Sequence, residues 1–160
     1  MSQSTFEDQT AILSLLQVRG HNVRRFKDAH EALQALRSDD KIDMLITGAL
    51  IKPIYGLEVC WEARLIAGEV RSLYILFVAP VGEYRTKIEA LDSGADDTLD
   101  ERPRPEELHA KLRVADRVTS LQRELIREAS IYYLSGVDNR RAFFRKLEAA
   151  CSNVSRGVSL

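Results

Sequence analysis

Two short apolar runs separated by a helical pattern constrain this fold more than any other feature of the sequence. The runs IDMLIT, residues 42–47, and SLYILFVA, residues 72–79, are nearly continuous, as expected of strands covered on both faces. A helical pattern lies between them, and another follows the second run. This alternation predicts an α/β fold: a doubly wound parallel sheet with right-handed crossovers and helices on both faces.

The other elements extend the same alternation toward both ends of the chain. We expect a helix over 7–19, a strand over 21–26, a helix through about Ser38, a strand over 96–100 and a long helix from Pro105. The helix that ends near Ser38 has a D-x-x-E capping pattern at its start, and Pro105 suits the first turn of the long last helix.

The first strand is the weakest element of this scheme. The segment SQSTF, residues 2–6, has three Ser or Thr residues and one Gln among its five, which suits a central strand poorly. We therefore expect the first strand to be short or missing. A partner chain, an additional element or a rearranged sheet would then cover the unpaired ladder groups.

Composition excludes several classes of protein. With 160 residues, 45% hydrophobic and 29% charged, the sequence is typical of a globular cytoplasmic protein. The net charge of −1 provides no global attraction to nucleic acid or membranes, so neither is an expected partner. The two cysteines, Cys60 and Cys151, are isolated and predict no disulfide or metal framework.

The long helix carries an apolar stripe beyond the length that a domain of this size needs. Two arrangements satisfy the stripe: the helix folds back on its own domain, or it forms a parallel two-helix seam in a homodimer, which we favour. The residues assigned to the dimer helix are Leu112, Val118, Leu121 and Leu125.

Two stretches resemble a bacterial response-regulator receiver domain over about residues 7–120. They are IDMLITGALIKPIYGLEVC and KIEALDSGADDTLDERPRPEEL. The resemblance implies phosphoryl transfer to an aspartate at the end of the third strand. It also implies a magnesium ion held by two acids after the first strand, a hydroxyl on the fourth strand and a lysine on the fifth.

The positions that the resemblance assigns to the nucleophile and the hydroxyl lack the necessary groups. The nucleophile position falls on Gly48, which has no side chain to phosphorylate. The neighbouring Thr47 is an alcohol, which does not attack without a base. The hydroxyl position falls on Val78 or Ala79, and neither side chain forms hydrogen bonds.

The charged positions of the family are altered as well. The lysine position falls on Glu101, which reverses the charge, with Arg102 beside it as a candidate substitute. Glu7 and Asp8 match the acid pair in type, and the alternative placement lies near residues 3–4. We therefore interpret the chain as a degenerate pseudo-receiver without catalytic residues, bound metal or cofactor.

A second resemblance lies near the C-terminus. YYLSGVDNRRAFFRKL, residues 132–147, resembles the entry motif of a GGDEF domain, the catalytic unit of diguanylate cyclases. It implies that Asn139 and Glu148 are remnants of a guanine-binding site. The alternative is an amphipathic helix with a solvated basic face. No GGDEF loop or metal-binding aspartates follow, so we expect the chain to be a truncated part of a longer protein.

These patterns predict three regions: a degenerate receiver domain over 1–118, a signalling helix over 119–131 and a GGDEF-like fragment over 132–160. The expected function is phosphorylation-independent signalling through dimerisation and contacts with a protein partner. One alternative is the regulatory part of a receiver–GGDEF cyclase that makes cyclic di-GMP. Another is a stand-alone adaptor. The upstream kinase and the process controlled are not encoded in any recognisable pattern.

Overall fold

The computed structural model describes residues 3–49, 54–134 and 144–149. Three strands and five named helices alternate along the chain. In order they are α1 (Gln3–Val18), α2 (Ala29–Ser38), β1 (Met44–Gly48), α3 (Gly56–Ala67), β2 (Tyr74–Ala79), α4 (Tyr84–Asp92), β3 (Asp97–Asp100) and α5 (Pro105–Leu134).

The strands form one parallel sheet in the order β1-β2-β3, which confirms the predicted α/β fold. Met44 lies opposite Tyr74, and Leu76 lies opposite Asp97. All three strands run in the same direction, so their carboxyl ends meet at one edge of the sheet. That edge is where proteins of this class place their functional groups.

Buried side chains cover both faces of the sheet, as the continuous apolar runs predicted. On one face, Ile75 and Phe77 pack with residues of α2 and α3, including Leu33 and Val59. On the other face, Leu76 and Leu99 pack with α1 and α5. The buried residues that α1 and α5 contribute to this second cluster are Ile12, Leu16, Leu108 and Leu112.

The N-terminal region differs from the prediction in one strand and agrees with it in another. The expected strand over 21–26 is wrong, because these residues form no strand and no described strand pairs with them. The expectation of a short or missing first strand is correct for the described residues, because α1 already begins at Gln3. A strand forms only when its backbone groups pair with a neighbouring strand. The loss of one strand therefore leaves the next strand without hydrogen-bond partners on that side.

The capping prediction for α2 is confirmed. Asp28 is the N-cap residue, and its Oδ1 accepts a hydrogen bond from the Glu31 amide at 2.9 Å. The Glu31 carboxylate accepts in turn from the Lys27 amide at 3.5 Å. The capping box therefore satisfies amide groups that the first helical turn leaves without partners.

The chain divides into two compact units, Met1–Ser120 and Leu121–Leu160, and α5 contributes to both. In the first unit Leu112 is only 2% exposed. In the second unit Leu121 is 55% exposed, and Glu128 pairs with Lys146 at 3.5 Å. Within the described part of the chain, no helix combines the length and apolar character needed to cross a bilayer.

Candidate functional site

The carboxyl ends of the three strands bring the predicted site positions together. Gly48 lies opposite Val78, and Ala79 lies opposite Asp100. Two further backbone bonds extend the pairing by one residue, because Val78 O accepts from the amide that follows Gly48 at 3.3 Å and Ala79 O accepts from Glu101 N at 3.0 Å. The positions assigned to nucleophile, hydroxyl and lysine therefore end neighbouring strands.

Backbone, rather than side chains, forms the floor of this site. A Cβ added to Gly48 would meet only Val78 O, at 3.6 Å, so a side chain would fit there. A Cβ added to Gly56, at the start of α3, would lie 1.9 Å from Gly48 O. Gly56 thus permits the close approach of α3 to β1, while the glycine at position 48 is not required by space.

Thr47 lies beside this floor and is buried, with 3% of its surface exposed. Its Oγ1 has no hydrogen-bond partner among the described residues. An alcohol needs an adjacent general base to become a nucleophile. No described residue accepts a hydrogen bond from this hydroxyl, so none of them is positioned to take its proton.

The helix α4 brings a positive charge to this edge. Lys87 Nζ lies 2.7 Å from Asp100 Oδ1, at the end of β3, and both side chains are partly buried. Glu101, the position that the resemblance assigned to the lysine, is half-buried. The Lys87–Asp100 pair could not be predicted from the sequence, since no spacing rule connects a helix residue to a strand end thirteen positions later.

The predicted acid pair lies on a helix rather than at a strand end. Glu7 and Asp8 fall within α1, which starts four residues before them. Among the described residues, no group of three His, Cys, Asp or Glu side chains is arranged to hold a metal ion.

Two buried titratable groups remain neutral at physiological pH. Burial raises the pKa of the Cys60 thiol to about 12, with Arg64 opposing and Asp96 reinforcing the shift. Burial, followed by the charges of Asp97 and Asp96, raises the pKa of Tyr74 to about 12. Neither group supplies a nucleophile or a base near neutral pH, because desolvation disfavours its charged form.

Arg64 connects α3 to the sheet at the end opposite the site. Its guanidinium donates two hydrogen bonds to Gly94 O, at 2.9 and 3.1 Å, and one to Leu73 O at 3.1 Å. It also pairs with Asp96 Oδ2 at 2.6 Å, and that carboxylate accepts from the Ile75 amide. Arg64 thus holds the starts of β2 and β3 against α3.

The surface formed by α4, β3 and α5 includes the charged side chains of Lys87, Asp96 and Asp97. Each of them has a partner in its own chain, and for Asp97 that partner is Lys111 Nζ at 2.7 Å. Exposed apolar side chains are available on α4 instead, namely Tyr84, Ile88 and Leu91.

The predicted dimer-helix residues fall into two groups. Leu112 is part of the buried core, so assigning it to a seam was wrong: the helix periodicity that marks a seam also marks a face packed on a sheet. Val118 and Leu125 are half-buried, and Leu121 is exposed. Of the predicted guanine-binding remnants, Glu148 is exposed in the helical segment 144–149, and Asn139 lies outside the described residues.

Comparisons with known proteins agree with this geometry. No family model matches the chain. The response regulator MprA of Mycobacterium ulcerans is 34% identical over 110 residues, which cover 67% of this chain and 44% of MprA. The transcriptional regulatory protein YrkP of Bacillus subtilis is 28% identical over 117 residues, covering 73% of this chain and 48% of YrkP. The chain thus spans less than half the length of these relatives.

Solved structures share the fold. A response regulator from Chloroflexus aurantiacus is 26% identical with a TM-score of 0.62, covering 71% of this chain and 89% of that one. The receiver domain of NtrX from Brucella abortus is 20% identical with a TM-score of 0.61, covering 73% and 93%. The relatives, the solved structures and the parallel strand ends together support one conclusion: this chain carries a response-regulator receiver domain.

Proposed function

We propose that this receiver domain signals without phosphorylation, through dimerisation and contacts with a protein partner. The observation that carries the proposal is Gly48. It stands at the carboxyl end of β1, where the receiver family places its nucleophile, and it has no side chain. The space beside it would admit one, since an added Cβ meets nothing closer than 3.6 Å.

The neighbouring positions support the same proposal. Val78 and Ala79 end β2 without a hydroxyl, and Glu101 follows β3 with a charge that repels a phosphoryl group. Phosphoryl transfer depends on a nucleophile, on groups that neutralise the transferred oxygens and on a metal ion. Gly48 supplies no nucleophile, and Glu101 carries a charge opposite to that of a group that neutralises the transferred oxygens. We therefore assign the chain no catalytic residue of its own.

Isothermal titration with magnesium and beryllofluoride, which imitates a phosphoryl group on a carboxylate, tests this proposal. A phosphorylatable receiver titrated under the same conditions is the positive control. We expect no saturable heat from this protein, because beryllofluoride needs a carboxylate oxygen to complete its coordination. Saturable heat at one site per chain would refute the loss of the phosphoacceptor.

Transmission through α5 is the second part of the proposal. The helix has 30 residues, about 45 Å in length, and Leu121 is exposed while Leu125 is half-buried. Residues 118, 121 and 125 have the spacing of a two-helix seam. Exposed Tyr84, Ile88 and Leu91 supply further apolar surface, which must carry the affinity because exposed ion pairs contribute only about 0–1 kcal/mol each.

Sedimentation equilibrium of the Leu121→Glu, Leu125→Glu double variant tests this seam. We expect the dimer of the parent protein to become a monomer, since two carboxylates per helix would be buried against each other. The matched control is Ser120→Glu with Arg127→Glu, which places carboxylates on an exposed face of the same helix. A monomeric parent, or a double variant with unchanged mass, would contradict the role of the helix.

A second candidate function rests on the C-terminal motif. Six residues match the GGDEF entry pattern, namely Leu134, Gly136, Asn139, Arg140, Arg141 and Phe143. The protein would then be the regulatory part of a longer cyclase that makes cyclic di-GMP, with the receiver setting the geometry of two cyclase units. An immunoblot of the native protein tests this candidate, because only a band well above the mass of 160 residues is compatible with the cyclase.

A further inference from the structure

The outer edge of β1 has no strand neighbour among the described residues. β1 pairs only with β2, and the three-stranded sheet ends there. Its sequence, MLITG, is nevertheless that of a strand buried on both faces. Of its five residues only Thr47 is fully buried, and the other four are partly exposed. The chain therefore places a central-strand sequence at an edge.

Backbone geometry determines which groups this edge presents. Asp43 O accepts from Tyr74 N at 2.8 Å, and Ala49 N donates to Val78 O at 3.3 Å. In a strand, alternate residues direct both backbone groups to the same side, so odd-numbered residues face β2. Met44 and Ile46 therefore direct both their N–H and C=O groups outward, and Gly48 directs its N–H group outward, while Gly48 O lies against Gly56 at the start of α3. No described residue forms a hydrogen bond with these five outward groups.

The edge also lacks the features that keep such edges unpaired. Exposed edge strands are usually protected by a lysine, a proline, a bulge or a covering segment that pairs with them. β1 has no charged residue and no proline. Its side chains are covered from the faces instead, because Leu15 and Val23 pack in the same cluster as Met44 and Ile46.

The segment that supplies Val23 is strongly basic. Residues 19–27 contain four cationic side chains and no acid. Arg24 pairs with Asp39 at 2.9 Å. Arg19, Arg25 and Lys27 are exposed and have no carboxylate partner within the described residues. A ligand at the outer edge of β1 would therefore meet positive charge on the segment that supplies Val23, while Asp43 places a negative charge at the start of the strand.

We propose that the outer edge of β1 binds one extended peptide strand from a protein partner. The central residues of this peptide strand are apolar on both faces, and Asp or Glu residues flank them on each side. The five outward backbone groups provide its hydrogen bonds, the two apolar clusters cover its side chains, and residues 19–27 attract its acidic flanks. A second copy of this chain fits less well, because it would bring its own basic segment to the same positive surface.

Calorimetric titration of the full-length chain with a synthetic peptide tests this inference. The probe is Asp-Asp-Val-Ile-Val-Thr-Val-Asp-Asp, and the control peptides replace the flanks by Lys or the central Val by Pro. We expect saturable one-to-one binding of the probe. The Lys-flanked peptide should bind at least tenfold more weakly, and the Pro peptide should not bind. Equal binding of all three, or of none, would overturn the proposal.

Substitutions at the first residue of β1 test the backbone groups directly. Met44→Pro removes one outward N–H without touching the ladder to β2, and proline is tolerated at the first position of an edge strand. Met44→Leu keeps the N–H and a similar volume. We expect at least a fivefold loss of peptide affinity for Met44→Pro and less than a twofold change for Met44→Leu. Equal affinities for both variants would contradict strand addition.

Hydrogen exchange on the unmodified protein tests the edge without any substitution. The amides of Met44, Ile46 and Gly48 should exchange rapidly in the protein alone and become protected when the probe is added. Protection without the probe would show that the edge is already occupied, and the proposal would be wrong. If that protection also grew with protein concentration, the occupant would be a second copy.

Discussion

Gly56 offers the sharpest test of how the site is built. Replacing it with alanine places a Cβ 1.9 Å from Gly48 O and 2.8 Å from Gly48 C, both backbone atoms. Real Cβ contacts do not fall below 3.0 Å, so α3 and β1 must separate by more than about 1 Å. Because these atoms belong to a strand and a helix packed in the same core, the shift disturbs both elements.

The expected cost of Gly56→Ala follows from this overlap. Overpacking a well-packed interior costs about 1–3 kcal/mol, and a clash with backbone lies at the upper end of that range. We expect a loss of about 3 kcal/mol in the free energy of unfolding. Gly48→Ala is the matched control, because its added Cβ meets only Val78 O at 3.6 Å. Reduced freedom of the unfolded chain should stabilise that variant by about 0.4–1 kcal/mol.

Equilibrium unfolding in urea measures both variants. Circular dichroism reports the helices, and the fluorescence of the single tryptophan, Trp61 on α3, reports the element that Gly56 begins. The midpoint should fall strongly for Gly56→Ala and stay unchanged or rise for Gly48→Ala, with similar slopes. If the two variants differ by less than about 1 kcal/mol, the close approach of α3 to β1 is not as described.

Three further predictions concern stability and site chemistry. Arg64→Leu should cost about 3 kcal/mol in urea unfolding, because three hydrogen bonds to carbonyls and one ion pair are lost; Arg37→Leu, which removes one exposed pair, should cost less than about 1 kcal/mol. The Cys60 thiol binds its proton more tightly in the folded state. The contribution of this proton to the free energy of unfolding is therefore complete below about pH 9 and is lost toward pH 12, by about 1.4 kcal/mol per pH unit. Because Cys60→Ala removes the thiol, this variant should show a flatter decline of Tm from pH 9 to 11. Gly48→Asp should fold, because an added Cβ meets nothing closer than 3.6 Å, but it should not bind magnesium with beryllofluoride in titration calorimetry, because Glu101 keeps a negative charge at the end of β3.

The strands of the sheet were predictable because burial on both faces leaves a continuous apolar signature. The runs over 42–47 and 72–79 lie within two residues of β1 and β2, and 96–100 contains β3. The segment 21–26, HNVRRF, was predicted as a short strand but forms none. Propensity describes the residue alone, whereas a strand also requires a neighbour to complete its hydrogen bonds.

The proximity of the positions assigned to nucleophile, hydroxyl and lysine could be predicted from the sequence, because parallel strands bring their carboxyl ends together at one edge. The Lys87–Asp100 pair and the four contacts of Arg64 could not, since they join elements through side-chain conformations that periodicity does not encode. Leu112 shows the reverse difficulty. The apolar stripe along α5 packs in the core of the first unit, and the spacing of its residues does not show at which residue the core ends.

Incubation with acetyl phosphate and magnesium, followed by intact-mass analysis, tests the central claim most directly. A phosphorylatable receiver treated in the same way should gain one phosphoryl group. This protein should keep its unmodified mass, because Gly48 offers no carboxylate at the end of β1 and the buried Thr47 has no base. A stoichiometric phosphoryl adduct on the wild-type chain would contradict the proposal that this receiver domain signals without phosphorylation.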